Sequence, residues 1–233
     1  MMTKRRSIAA LIVLLVAVLA AFLWYRTHEA PPAFTLDSRD ATIADWSFAG
    51  TYASDPQLAA KVQANIARLM SASSTKAYAP YDRYASLAQD YDLLGDGKNE
   101  YAYLLKAIAA GGQGASAAWE NLGILLARFG AYYSARTALE NAITATPNVG
   151  VYREAYVRFL MAHFPDDHAA IAAAFTDGLA NNLDPNLYPD EAGWLASVGS
   201  TTEAIAAWKA YEAFVPARQL PSIEAQITKL RAQ

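Results

Sequence analysis

Two of the chain's three histidines, His163 and His168, stand beside Asp166 and Asp167. Imidazole and carboxylate together are zinc-ligand chemistry. A five-residue spacing interrupted by Phe164 and Pro165 does not put both imidazoles on one helical face, so the cluster reads as a polar turn between helices. Asp90, Asp92, Asp96 and Glu100 carry oxygen ligands of the kind calcium prefers. Their glycine and ligand spacings do not match a calcium loop. Gly111, Gly112 and Gly114 lack the lysine and the preceding strand of a phosphate-binding loop. The sequence has no G-x-S-x-G elbow and no H-E-x-x-H. It has no cysteine, which excludes a structural disulfide, a Cys-ligated zinc site and a lipidated cysteine. The 14 tyrosines, at helical spacing as in Tyr84 and Tyr91, read as core residues with a polar tip. These residues point to no catalytic, cofactor or metal centre, and the expectation is a binding protein that catalyses nothing and takes no small-molecule substrate.

The elements that would position any site are helices. Alanine is abundant while Val and Ile are sparse after the first 25 residues, a composition that favours helix over strand. Net charge is −3, with Lys4, Arg5 and Arg6 ahead of every acid, so the remainder carries about −6. An acidic body argues against nucleic acid as a partner, because phosphate binding needs a basic face.

An uncharged apolar run opens at Ser7 and closes at Tyr25, SIAALIVLLVAVLAAFLWY. As a helix it spans roughly 28 Å, close to the hydrocarbon thickness of a bilayer. Trp24 and Tyr25 suit the headgroup zone, and the basic triplet on one side predicts a cytoplasmic N-terminus with everything after residue 26 outside. A cleaved signal peptide would have a shorter apolar region ending in a small-x-small site, so the length favours an uncleaved anchor. Ala9, Ala10, Ala17, Ala20 and Ala21 would also permit close helix packing in the membrane.

Residues 27–54 show no steady period, yet contain Phe34, Leu36, Ile43, Trp46, Phe48 and Tyr52. That is too much apolar surface for a solvated tether, so the stretch is expected to pack partly against the domain that follows. Asp55 and Pro56 then mark a helix start. Leu58, Val62, Ile66 and Leu69 give that helix one apolar stripe within a leading segment of residues 55–80.

The internal period carries the most information. Trp119, Leu122, Gly123, Leu126, Gly130, Ala135, Leu139, Ala142 and Pro147 are spaced as large and small residues on two antiparallel helices joined by a glycine turn. Thirty-five residues earlier, Tyr84, Leu87, Ala88, Tyr91, Gly95, Leu104 and Ala107 repeat the pattern, with Glu100 where a small residue belongs and Gly112 in place of the proline. Sixty-nine residues after the strong unit, Gly199, Ala204, Trp208 and Pro216 repeat its second half, behind a short helix expected to open at Pro189 and to carry Trp194. Between them, Val151, Tyr152, Ala155, Tyr156, Phe159 and Leu160 form one expected stripe and Ala169, Ala172, Phe175 and Leu179 another. Ile223, Ile227 and Leu230 suit a capping helix over residues 219–233.

With Trp119, Leu122, Gly123, Ala135 and Pro147 on the signature positions, the chain resembles the tetratricopeptide repeat family over about residues 81–218. The resemblance implies a right-handed α-solenoid of about four helical hairpins with a capping helix; joined to the apolar run before it, the expected chain is all-α, an N-terminal transmembrane helix (residues 1–26 with its basic stub) followed by that solenoid. The resemblance also implies protein–protein interaction in a groove lined by the first helix of each pair. On this sequence those positions are Asp82, Gln89, Asp92, Glu120, Ile124, Arg128, Glu154 and Arg158. The groove lacks the Lys and Arg cluster that grips C-terminal carboxylates in chaperone-binding members, so a basic or neutral partner segment is expected. The combined expectation is a single-pass scaffold in a bacterial inner membrane, its domain periplasmic, assisting assembly of an envelope complex. The alternatives are an accessory subunit of a membrane enzyme complex held through its membrane helix, and a periplasmic client-holding chaperone.

Overall fold

The Asp55 carboxylate accepts hydrogen bonds from the backbone nitrogens of Gln57 and Leu58, at 2.9 and 3.1 Å, and Pro56 occupies the first helical position. These two residues start helix α1 (Pro56–Met70), whose Val62, Ile66 and Leu69 are buried. A computed structural model describes residues 34–71, 74–180 and 184–232 of the protein. The expected membrane span, the basic triplet before it and the proline pair after it lie outside the described residues. Among those described, no helix is long and apolar enough to cross a membrane.

The described residues are all-helical, in an order consistent with an α-solenoid, and they form no strand beyond one isolated bridge between Ser47 and Asp96. After α1 come a single turn, α2 (Ser74–Ala77), then α3 (Pro80–Leu94), α4 (Gly97–Gly111), α5 (Ser116–Arg128) and α6 (Tyr132–Ala145). They are followed by α7 (Gly150–His163), α8 (His168–Leu179), α9 (Leu187–Ser197), α10 (Thr201–Tyr211) and α11 (Leu220–Arg231). The chain divides into two compact units at Ser134 and Ala135, inside α6.

In the first unit, α3 packs on α1 and α4, and α4 on α5. Val62, Ile66 and Leu69 of α1 meet Leu87 of α3, ringed by Tyr52, Tyr84, Tyr91, Leu93, Leu94 and Tyr103. Leu69 and Leu87 are almost fully buried, each worth roughly 1.5–3 kcal/mol of hydrophobic transfer. Gly95 ends α3 with φ +77°, a left-handed conformation that favours glycine, and Asp96 caps α4 by accepting from the Asn99 nitrogen at 3.1 Å.

Residues 34–54 pack along this unit. Phe34 meets Trp119 edge-on at 5.6 Å between centroids, and Trp46 lies against Tyr101 at 5.0 Å and Phe129 at 5.2 Å. The Phe48 nitrogen donates to the Gly95 carbonyl, the Gly97 nitrogen to the Trp46 carbonyl and the Tyr52 nitrogen to the Leu93 carbonyl, all at 2.9–3.1 Å. The backbones come so close that a Cβ at Gly97 would lie 2.6 Å from the Trp46 carbonyl oxygen. The Gly95-Asp96-Gly97 turn is therefore both a helix connection and the seat for residues 46–50.

In the second unit α7 packs on α8, α9 on α8 and α10, and α11 on α10. Ile223, Ile227 and Leu230 of α11 are buried, while Ser200 precedes α10 behind Gly199 at φ +84°. Two expected stripes are displaced. In α7 the buried residues are Arg153, Val157, Phe159 and Leu160, and Val151 is 53% exposed. Arg153 tolerates burial because its guanidinium donates to Asp177 and to the Pro147 carbonyl, at 2.6 and 2.5 Å. In α8 the buried face is Ile171, Ala174, Phe175 and Gly178, leaving Ala169 and Ala172 exposed. Alanine suits either side of a helix, so the bulkier Ile171 and Phe175 decide which side turns inward. The helix carrying Trp194 opens at Leu187, two residues before the expected Pro189.

Candidate functional site

Three consecutive helices of the first unit enclose a concavity of about 520 Å³. From α3 it takes Asp82, Ala85, Ser86, Ala88, Gln89 and Asp92, a series at helical spacing that alternates with the buried core face. From α4 come Glu100 and Leu104, one turn apart, and from α5 come Asn121, Ile124 and Arg128. Of the groove positions expected in this unit, Asp82, Gln89, Asp92, Ile124 and Arg128 share this lining. Glu120 does not: it lies half-buried elsewhere on α5, where burial raises its carboxyl pKa. Its neighbour Asn121 takes the place, a one-residue rotation of about 100° around the helix.

The electrostatics centre on Arg128. Its guanidinium donates to Asp92 at 2.8 Å and lies over the Phe48 ring at 3.9 Å. An aromatic from residues 34–54 thus holds the cation against its acid. Glu100 is 3.9 Å from the same Arg128 nitrogen, beyond hydrogen-bonding reach. Glu100 is 5% exposed, and its Oε2 makes no hydrogen bond. Burial pushes the Glu100 carboxyl up to about 8, Asp92 adds to that rise, and Arg128 opposes it. Arg128 is already committed to Asp92, so desolvation prevails and Glu100 is largely neutral at pH 7. Groove positions read from the first helix of each pair did not include Glu100, which α4 contributes from the second helix of its pair. Its signal in the sequence was its departure from the small residue that the repeat pattern asks for.

The other clusters separate. Asp90 faces away from the concavity and accepts from the Asn65 amide at 2.7 Å, Asp96 caps α4, and Asp92 pairs with Arg128. No group of three or more His, Asp or Glu suited to a metal ion occurs among the described residues. Asp167 caps α8 through the Ala170 nitrogen at 3.1 Å, while His163 lies tilted against Phe159 and His168 meets Trp194 edge-on. In the second unit Arg158 pairs with Glu154 at 2.7 Å and with Asp190 at 3.0 Å. These two expected groove residues therefore bind one another.

What the concavity offers is recognition chemistry: a buried carboxyl, an ion pair, side-chain amides and aliphatic walls. No family model matches this chain, and no curated protein matches it.

Proposed function

We propose that the chain is a membrane-anchored helical-repeat scaffold of the tetratricopeptide type, which binds a protein partner in the concavity of α3, α4 and α5. Its helix pairs stack into a right-handed solenoid. Residues 7–25 hold that solenoid at the periplasmic face of a bacterial inner membrane, where it assists assembly of an envelope complex.

One observation carries the repeat reading. Gly95, Gly130 and Gly199 each adopt a left-handed φ, of 77°, 74° and 84°, and each joins two consecutive helices. They stand one and then two periods apart, at the spacing of the signature residues. The concavity faces the side where Asp82, Gln89, Ile124 and Arg128 are solvent-accessible, as a partner segment requires. The uncharged length of residues 7–25 supports the anchor.

The test is affinity purification of the full chain from detergent-solubilised membranes. A stoichiometric partner should co-elute with the native chain and be lost from Gln89→Arg and Ile124→Arg, both at exposed lining positions. Protease added to spheroplasts should digest the repeat domain. A partner retained by both variants would remove the groove from the reading, and a protected domain would remove the periplasmic placement.

A further inference from the structure

This inference deepens the groove reading and rests on it. The lining of the concavity is divided by chemistry. Ala85, Ala88, Leu104 and Ile124 form aliphatic walls, and Glu100 is a carboxyl with an oxygen that accepts no hydrogen bond among the described residues. A buried acceptor left unpaired costs free energy that an incoming donor recovers. Asp82 adds a second acid at the rim. Arg128, the one lining cation among the described residues, is held by Asp92 at 2.8 Å and by the Phe48 ring. An occupant complementary to this surface has an aliphatic stem and a terminal cation.

We propose that the concavity seats one lysine or arginine side chain of the partner segment, its stem along Ala85, Ala88, Leu104 and Ile124 and its charge at Glu100. Glu100 is the specificity-determining residue of the groove.

Occupancy is linked to a proton. The titratable groups facing Glu100 are Asp82 and Asp92 from α3 and Arg128 from α5, and residues 34–54 bring none to the lining. With its carboxyl raised to about 8 by burial, free Glu100 holds a proton at neutral pH. A cation binds the ionised form, so seating it releases that proton to solvent. Affinity therefore rises with pH up to about 8 and then levels.

The test presents the full chain, in detergent micelles, with a phage-displayed library of random dodecapeptides. Selected peptides are synthesised and measured by fluorescence anisotropy. We expect Arg or Lys enriched at one register position. A selected arginine peptide should bind Glu100→Gln at least tenfold more weakly. Its affinity for the native chain should climb about tenfold from pH 6 to 7 and about fivefold more to pH 8, the curve of one linked proton, with Glu100→Gln flat. Glu100→Gln keeps the side-chain shape and removes the titratable carboxyl, and circular dichroism checks that it folds. Two results overturn this inference while leaving the groove in place: selected peptides without a basic residue, or basic peptides that lose binding to Ile124→Arg but not to Glu100→Gln. Peptides indifferent to both substitutions, or no enrichment at all, overturn the groove reading as well.

Discussion

The Asp40 carboxylate caps a helix 94 positions away, accepting from the Ser134 backbone nitrogen at 2.8 Å and from the Ser134 hydroxyl at 2.6 Å. It also accepts from the Tyr133 nitrogen at 3.0 Å. These nitrogens belong to the first turn of α6, which Ala131, with no polar side chain, cannot cap. Beside it, Arg39 lies over the Tyr133 ring at 3.9 Å and forms a two-pronged pair with Asp37, whose own nitrogen donates to the Ser134 hydroxyl. Residues 37–40 thus fasten the path of residues 34–54 to the start of α6.

Replacing Asp40 by alanine is expected to lower stability by about 1–2 kcal/mol, the upper range for a lost helix cap. Amide hydrogen exchange at Tyr133 and Ser134 should quicken in the same variant, and Asp40→Asn should cost less because one oxygen is kept. An unchanged urea midpoint together with unchanged exchange would show that the cap contributes nothing.

Glu100 makes stability depend on pH. Its folded-state value of about 8 lies above the usual 4.5, so between these values the folded chain binds more protons than the unfolded chain. The contribution is fully present below pH 4.5, falls as pH rises towards 8, and is flat beyond. Glu100→Gln removes the dependence. Its advantage over the native chain should grow from near zero at pH 4.5 to on the order of a few kcal/mol at pH 8. Urea midpoints at pH 5, 6.5 and 8 measure this, and a constant difference between the two proteins contradicts it.

Two glycines should respond differently to alanine. At Gly130 a Cβ meets nothing within 4 Å, so the cost is that of the left-handed backbone at φ +74°, about 1–2 kcal/mol. At Gly97 the Cβ would run into the Trp46 carbonyl oxygen at 2.6 Å and the Phe129 ring at 2.8 Å. Gly97→Ala should therefore lift residues 46–50 away and speed tryptic cleavage at Arg39, while Gly130→Ala leaves that cleavage rate alone. Equal rates would refute the contact.

Arg153 is 6% exposed, whereas the side chain of its partner Asp177 is 59% exposed. Asp177→Ala leaves a buried guanidinium with the Pro147 carbonyl, and should cost about 2–3 kcal/mol rather than the fraction expected of a surface pair. The double variant Arg153→Met, Asp177→Ala should recover part of that loss, because no buried charge then remains. Thermal unfolding of the two variants decides it, and a double variant no more stable than Asp177→Ala argues against a buried-charge penalty.

Much of this protein was determined locally, and such features are legible in its amino acids. Asp55 and Pro56 start α1, the stripe through Val62, Ile66 and Leu69 finds its buried side, and Gly95, Gly130 and Gly199 mark turns. Each depends on neighbours within a turn or two of helix, where dihedral preference and a 3.6-residue period suffice. The five lining residues Asp82, Gln89, Asp92, Ile124 and Arg128 stand at positions that the repeat resemblance implied for a groove. Only the tertiary structure decided the rest. Which face of alanine-rich α8 turns inward was settled by Ile171 and Phe175 against their neighbours, since alanine fits both faces. That Asp40 caps α6, that Phe48 braces Arg128 and that Glu100 is buried without a full partner all join residues dozens of positions apart. Such pairings arise from how irregular segment and helices close on one another in space, and no local period encodes that closure.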